Sequence, residues 1–333
     1  MRYRVDIHAD AHTRAKAMAE DVLRGLGSRP RSLPPKYFYD AEGSRLFEEI
    51  TRLPEYYPTR VEEGLLSGLA PALMRDLAPR DVVELGSGFS LKTRRLLQAR
   101  GGAPLRYTPV EVDHTTVAAS AERLIDEDPA LQVHAVVGDF ERHLVHVPVP
   151  SGRRLVLFLG STIGNLDAPE RQALLVQIRQ LLRRGDRLLL GVDLVKDVAV
   201  LEAAYNDAAG VTAAFNRNVL RVVNGALGGD FVPERFRHHA FYNVAEDRIE
   251  MHLISDRAQT VRIRAIDLTV GFEAGESIWT ESSYKFTRPT VRAMLGAAGL
   301  RLDHWYTDAG QRFALALAAP TAAAATAPVT HAA

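Results

Sequence analysis

The chain has 333 residues, 47% of them hydrophobic and 25% charged, the balance of an ordinary globular protein with room for one large domain or two modest ones. Lys+Arg and Asp+Glu both number 41, so no basic excess points to nucleic acid. Cysteine is absent, which excludes disulfides, thiolate catalysis and thiolate metal sites, and no apolar run reaches the roughly 18 residues that a membrane span needs.

Residues 1–60 read as one helix followed by a loop rich in Pro, Tyr and Arg. The opening stretch MRYRVDIHADAHTRAKAMAEDVLRGL has no apolar signal-peptide core, so a cytoplasmic protein is expected, without a membrane or nucleic-acid partner and monomeric. From residue 81 strand and helix signals alternate. DVVEL (81–85) is a short buried strand, LKTRRLLQA (91–99) a helix, LRYTPVEVD (105–113) a strand ending in acids, and HTTVAASAERLIDED (114–128) a helix. LQVHAVVGDF (131–140) and RRLVLFLGS (153–161) are further strands. DAPERQALLVQIRQLLRRG (167–185) is a helix opened by Asp167 and Glu170 as a capping box, with Pro169 in its first turn and Gly185 where a C-terminal cap belongs. DRLLLGVDL (186–194) is a fifth strand. Nearly all-apolar strands alternating with helices argue for a doubly wound parallel sheet covered on both faces.

The rhythm changes at about residue 197. Helical stretches give way to HAFYNV, RIEMHLIS, TVRIRAIDLTVGF and SIWTESSYKF, whose alternation reads as an antiparallel sheet. Residues 287–299 return to a helix ending at Gly299. LRLDHWYTD and RFALALA read as a terminal pair of strands, and the Ala-rich tail that follows as disordered.

In an open α/β sheet, ligands bind at the carboxyl ends of the strands. Four such ends carry suggestive residues: Glu84-Leu85-Gly86-Ser87-Gly88, Asp113, Asp139-Phe140 and Gly160-Ser161. The glycine turn is neither a dinucleotide fingerprint, since Leu91 stands where the third glycine belongs, nor a Walker loop, since no Gly-Lys-Ser/Thr follows. Gly86 and Gly88 let the backbone approach a ligand closely. Asp113 suits ribose hydroxyls, Asp139 an adenine amino group, Phe140 an adenine face and Lys92 a carboxylate. An adenosine carrying an amino-acid tail fits this set, which makes S-adenosylmethionine (SAM) the expected cofactor and NAD the rival. His143 and His146 have a weak metal-like spacing, but no carboxylate set accompanies them and no metal is expected.

Longer motifs sharpen the reading. LPPKYFYDAEGSRLFEEITRLPEYYPTR (33–60), ELGSGFSLKTRRLL (84–97), FLGSTIGNL (158–166), LLLGVDLVKD (188–197), FNRNVL (215–220) and WTESSYKF (279–286) resemble the SAM-dependent histidine Nα-methyltransferase family, whose members make hercynine, the betaine precursor of ergothioneine. The resemblance runs in order from about residue 30 to 318. It implies an α/β fold: a Rossmann-like class I methyltransferase domain (61–196 plus 287–318) with a second, α+β substrate-binding domain (8–60 plus 197–286), and a disordered tail at 319–333. It implies cofactor contacts at Gly86, Lys92, Asp113, Asp139 and Phe140. It implies a histidine site of Tyr56, Asn165, Tyr205, Met251, Glu281 and Ser283, with Tyr39 catalytic and close to both ligands. In the family, Asn165 and Tyr205 would meet the substrate carboxylate, and Glu281 and Ser283 the imidazole. Phe89 in the glycine turn and Ser282 read as family variation.

The chemistry of those residue types agrees. Methyl transfer from a sulfonium is an in-line displacement that depends on positioning, and the attacking amine must be unprotonated. The product is a fixed cation, which Tyr39 and Tyr56 can face through cation–π contact. Asn165 and Tyr205 can donate to a carboxylate, and Glu281 can accept an imidazole N–H. The alternatives are a methyltransferase of the same architecture acting on another amine, such as an indole amino acid, and a SAM-binding protein without activity, which would need a broken site.

Overall fold

The computed structural model describes residues 2–8, 11–88 and 91–321. In chain order the N-terminal part holds β1 (Tyr3–Ile7), α1 (Ala11–Gly27), β2 (Arg31–Ser32), a 3-10 turn at Pro35–Phe38, α2 (Ala41–Arg52) and α3 (Pro58–Leu77). The alternating part holds β3 (Asp81–Leu85), α4 (Leu91–Gln98), β4 (Leu105–Glu111), α5 (His114–Glu127), β5 (Leu131–Val137), α6 (Phe140–His143), β6 (Arg154–Phe158), α7 (Ala168–Leu181) and β7 (Arg187–Asp193). Then follow α8 (Val198–Ala203), α9 (Val211–Leu227), β8 (Phe236–Asn243), β9 (Arg248–Ser255), β10 (Gln259–Ile263), β11 (Leu268–Phe272), β12 (Ser277–Tyr284), α10 (Arg288–Ala297), β13 (Leu300–Thr307) and β14 (Phe313–Pro320).

The large sheet has the order β1-β5-β4-β3-β6-β7-β14-β13. Its first six strands are parallel, β14 runs antiparallel to them, and β13, antiparallel to β14, again runs in their direction. β3 and β6 are buried along their whole length, as strands covered on both faces must be. The order reverses between β3 and β6, so the topological switch point lies at their carboxyl ends. With the helices on its faces, this is the Rossmann-like methyltransferase fold expected.

A second sheet, β2-β12-β9-β8, holds the substrate motifs. It docks on the large one through β12: Leu194 bridges Phe286, Phe286 N–H donates to the Asp193 carbonyl at 2.8 Å, and Val195 N–H to the Phe286 carbonyl at 3.0 Å. The end of the substrate strand is thereby fixed to the carboxyl end of β7.

Several expectations need correction. Residues 1–60 contain more than one helix. β1 pairs with β5 at the edge of the large sheet, and α2 forms because Asp40 caps it, its carboxylate accepting the Gly43 N–H at 2.7 Å, while Leu46 and Ile50 bury one face. The alternating runs do not make one antiparallel sheet: β2 joins β12 in parallel, and TVRIRAIDLTVGF is a separate β10–β11 hairpin, reversed by a 3-10 turn and Asp267 at φ +47°. α7 starts on its capping box but ends at Leu181, so Gly185, at φ +98°, shapes the turn into β7 and does not cap the helix. β14 runs to Pro320 with Ala319 buried, two residues past the expected start of the tail; residues 322–333 lie outside the described residues, as does Phe89.

Candidate active site

Five chain segments meet at the switch point and at the end of β7. On the cofactor side, Gly86 (φ +66°) and Gly88 (φ +48°) turn the chain out of β3 in left-handed conformations that other residues rarely adopt. A Cβ on Gly86 would lie 3.7 Å from the Phe140 ring, so turn and ring face each other, and Phe140 rests edge-on against Phe158 at 5.4 Å. Asp139 caps α6, accepting the Glu141 N–H at 2.8 Å. Asp113 caps α5, accepting the Thr115 N–H at 3.0 Å and the Thr116 hydroxyl at 2.6 Å. Lys92, the second residue of α4, pairs with Glu62 of α3. The other Glu62 oxygen accepts the Gly160 N–H at 2.7 Å.

Two carboxylates here escaped the sequence reading. Glu62 is wholly buried and ties α3 to the ends of α4 and β6. Glu111, the last residue of β4, accepts the Gly88 N–H at 2.9 Å and the Val112 N–H at 2.7 Å. Burial raises its pKa, while those backbone N–H groups pull it down. Its signal was available, since VEVD ends a strand in two acids, and the reading took only Asp113.

On the substrate side, Tyr39 follows the 3-10 turn, its ring edge-on to Phe47 at 5.7 Å and to Phe215 at 5.6 Å. It keeps 40% of its surface accessible, while burial is the largest influence on its hydroxyl. Tyr56 stands edge-on to Tyr205 at 6.4 Å. Burial first, and then Glu281 for Tyr39 and the neighbouring Tyr205 for Tyr56, hold both hydroxyl pKa values above the ordinary phenol value, so both stay protonated. The charge of Glu111 acts on the Tyr39 hydroxyl in the same direction.

Glu281, Ser283 and Lys285 follow one another at alternate positions along and just past β12, so they share a face, and Ser282 points away. Met251 is paired with Glu281 across the β9–β12 ladder and lies on the same face, almost fully buried. Burial pushes the Glu281 carboxyl up to about 7 against the pull of Lys285, and among the described residues no group hydrogen-bonds that carboxylate. Tyr205 donates to Ser283 at 2.8 Å. Asn165 ends a 3-10 turn whose Gly164 packs on the Tyr284 backbone; its side-chain amide makes no hydrogen bond among the described residues. The structure therefore brings Tyr56, Tyr205 and Ser283 into contact, sets Tyr39 and Glu281 within electrostatic reach of them, places Met251 on the Glu281 face of the sheet, and sets Asn165 beside β12.

Beneath them lies an ion network that sequence reasoning also missed. Asp193, at the end of β7, accepts the Tyr57 hydroxyl at 2.9 Å, Lys196 at 2.6 Å and Lys285 at 3.0 Å. Lys285 further donates to Ser283 at 2.8 Å and to Tyr205 at 3.1 Å. The partners are brought together by the fold alone. His143 and His146 stack with His8, and among the described residues no His, Asp or Glu group is arranged to hold a metal.

The donor set fits SAM. The left-handed glycines leave an open cradle beside the Phe140 ring, acids end the neighbouring strands, and a lysine opens the first helix after the turn. A family model described as histidine-specific, SAM-dependent methyltransferase matches residues 18–320. The chain is 51% identical over 310 residues to the histidine N-alpha-methyltransferase of Mycolicibacterium smegmatis, covering 92% of this chain and 96% of that one. It is 49% identical over 321 residues to the histidine N-alpha-methyltransferase of Mycobacterium tuberculosis, covering 96% and 100%. It is also 30% identical over 275 residues to ergothioneine biosynthesis protein 1 of Neurospora crassa, covering 75% of this chain and 31% of that larger protein.

Proposed function

The chain belongs to the histidine-specific, SAM-dependent methyltransferase family, and from that premise we propose that it transfers three methyl groups to the α-amino nitrogen of L-histidine, giving hercynine, the first step of ergothioneine biosynthesis. The observation that carries the reading is Glu281: a half-buried carboxylate, still accessible to a ligand, with no hydrogen-bond partner among the described residues and within electrostatic reach of three tyrosines. A desolvated acceptor left without a partner is costly unless a ligand satisfies it, and an imidazole N–H does so.

SAM, when bound, supplies an electrophilic methyl group on a sulfonium. Gly86, Phe140, Asp139, Asp113 and Lys92 would hold it, with Asp113 at the ribose. The histidine carboxylate would meet the Asn165 amide and the Tyr205 hydroxyl. The ring would lie on Met251, between Glu281 and Ser283. Tyr39 and Tyr56 would face the amine. Because both phenols are held protonated, neither serves as a base at neutral pH; they orient the free amine by hydrogen bonding and present ring faces to the growing cation, a contact of roughly 0.5–2 kcal/mol. The reaction class asks for little more, since fixing nucleophile and electrophile in line supplies most of the acceleration.

The test is direct. The protein is incubated with SAM and each amino acid in turn, and the products are weighed by mass spectrometry. Histidine alone should gain one, two and then three methyl groups. Methylation of another amino acid in preference to histidine, or a product that stops at one methyl, would overturn the substrate or the stoichiometry respectively.

A further inference from the structure

Lys285 is 4% exposed, and its ammonium has three N–H donors with three partners: the Asp193 carboxylate at 3.0 Å, the Ser283 hydroxyl at 2.8 Å and the Tyr205 hydroxyl at 3.1 Å. An ammonium cannot accept a hydrogen bond. The two hydroxyls also bond to each other, Tyr205 donating to Ser283 at 2.8 Å. Of their two protons, one is spent between them, and neither can be turned toward Lys285. The other proton, on Ser283, has no acceptor in the wall. If a substrate opens the Tyr205–Ser283 bond, both protons face it and both oxygens still receive Lys285. In either state the wall shows the substrate donors.

We propose that Lys285 is a positioning residue that fixes Tyr205 and Ser283 as hydrogen-bond donors toward the substrate, so that the cleft selects a ring with one N–H and one lone pair. Glu281, two residues before Ser283 on the same face, is the matching acceptor. Acceptor and donor side by side read a neutral imidazole: its N–H meets Glu281 and its bare nitrogen meets the Ser283 hydroxyl, while Tyr205 donates to the substrate carboxylate. A ring with no bare nitrogen leaves the donor unanswered. Burial pulls the pKa of Lys285 down, but Asp193 and Tyr205 outweigh it and keep the ammonium charged. The buried Asp193 is in turn held ionised by Lys285 and Lys196 against its own desolvation. The inference rests on the histidine reading above.

The probes are histidine and two analogues, 3-(pyrrol-2-yl)alanine and 3-(pyrrol-3-yl)alanine. Each keeps one ring N–H and replaces the other nitrogen by C–H. Affinities are measured by calorimetry on protein saturated with S-adenosylhomocysteine, whose own affinity reports folding. The wild type should bind both pyrroles at least about tenfold more weakly than histidine, because sites built to hydrogen-bond a substrate reject analogues that lack the partner. Lys285→Met frees a lone pair on each hydroxyl, which can then accept as well as donate. It should weaken histidine by about tenfold and bring the better pyrrole to within about threefold of it. In a Ser283→Ala background, Lys285→Met should change the ratio of pyrrole to histidine affinity by less than about threefold, since the ring donor it acts through is gone. If Lys285→Met does not fold, Lys285→Gln, whose amide oxygen can accept a hydroxyl proton, should loosen the selection in the same way. A wild type that binds either pyrrole within threefold of histidine overturns the proposal, as does a Lys285 variant that weakens all three ligands by one factor. Failure of the wild type to bind or methylate histidine would instead overturn the substrate assignment.

Discussion

Glu281 illustrates how a functional side chain can work against the fold that holds it. Its carboxyl is pushed up to about 7 by burial, whereas an unfolded glutamate titrates near 4.5. Between those values the folded state holds a proton that the unfolded state has lost, so this group's contribution to stability is complete below about pH 4.5 and is lost as pH rises to about 7. Glu281→Gln removes the titration and should stabilise the protein at pH 8 by on the order of 1–3 kcal/mol, with little gain at pH 4.5, measured as urea unfolding at the two pH values. A gain equal at both would show that desolvation of the charge is not the cause. The same carboxylate should carry selectivity. Glu281→Ala should lower kcat/KM for histidine at least about tenfold, near 1.4 kcal/mol, with the affinity for S-adenosylhomocysteine unchanged. If selectivity for histidine over other amino acids survives, the imidazole is read elsewhere.

At the scale of elements, α2 and α9 place Tyr39. The Asp40 carboxylate caps α2 and also accepts the Asn218 amide of α9 at 2.7 Å, and the same amide reaches the Phe38 carbonyl at 3.4 Å, so the segment carrying Tyr39 is tied on both sides. Gly43 lets the helix sit against the Phe38 backbone, where a Cβ would overlap the Phe38 carbonyl oxygen. Gly43→Ala should therefore destabilise by roughly 1–3 kcal/mol and raise KM for histidine while sparing S-adenosylhomocysteine binding. Gly68 in α3 has open space around it, so Gly68→Ala should gain up to about 1 kcal/mol from helix propensity alone. Equal effects at the two glycines would refute the packing argument. These elements also mark the limit of what the sequence discloses. The strands around the glycine turn were readable because burial on both faces leaves unbroken apolar runs, and α7 because a capping box and a leucine stripe coincide. α2 was hidden among Pro and Tyr residues that belong to its flanks, and a strand of two residues, β2, has no period at all. At the site, the acids ending strands and the tyrosines of the long motif were legible. Glu62, Asp193 and Lys285 were not, because a buried charge is recognised only by the partner that the fold brings to it.

For the molecule as a whole, Asp193 joins the two sheets beside the proposed substrate site. It ends β7 of the large sheet, receives Lys285 from the end of β12, and binds Lys196 and Tyr57 from the loop after β7 and the start of α3. All of these groups are buried or nearly so, and the two ammonium ions share this one carboxylate. Such a network contributes little net energy while intact, since desolvation offsets attraction, but removing one member leaves charges buried and unpaired. Asp193→Asn should cost about 3–5 kcal/mol at pH 7. The sign of its pH dependence follows from the lysines. Without the carboxylate the folded pKa of Lys285 falls from above to below the unfolded value near 10.4, and that of Lys196, already lowered to about 8 by burial, falls further, so the unfolded state of the variant binds more protons and its stability rises with pH through that interval more steeply than the wild type's. The gap between Asp193→Asn and the wild type, followed by urea unfolding at pH 7 and pH 9.5, should narrow at the higher pH. A gap that stays constant would mean that the variant loses hydrogen bonds only and that the lysines were already solvated; a gap that widens would mean that the carboxylate serves some group other than the two ammonium ions.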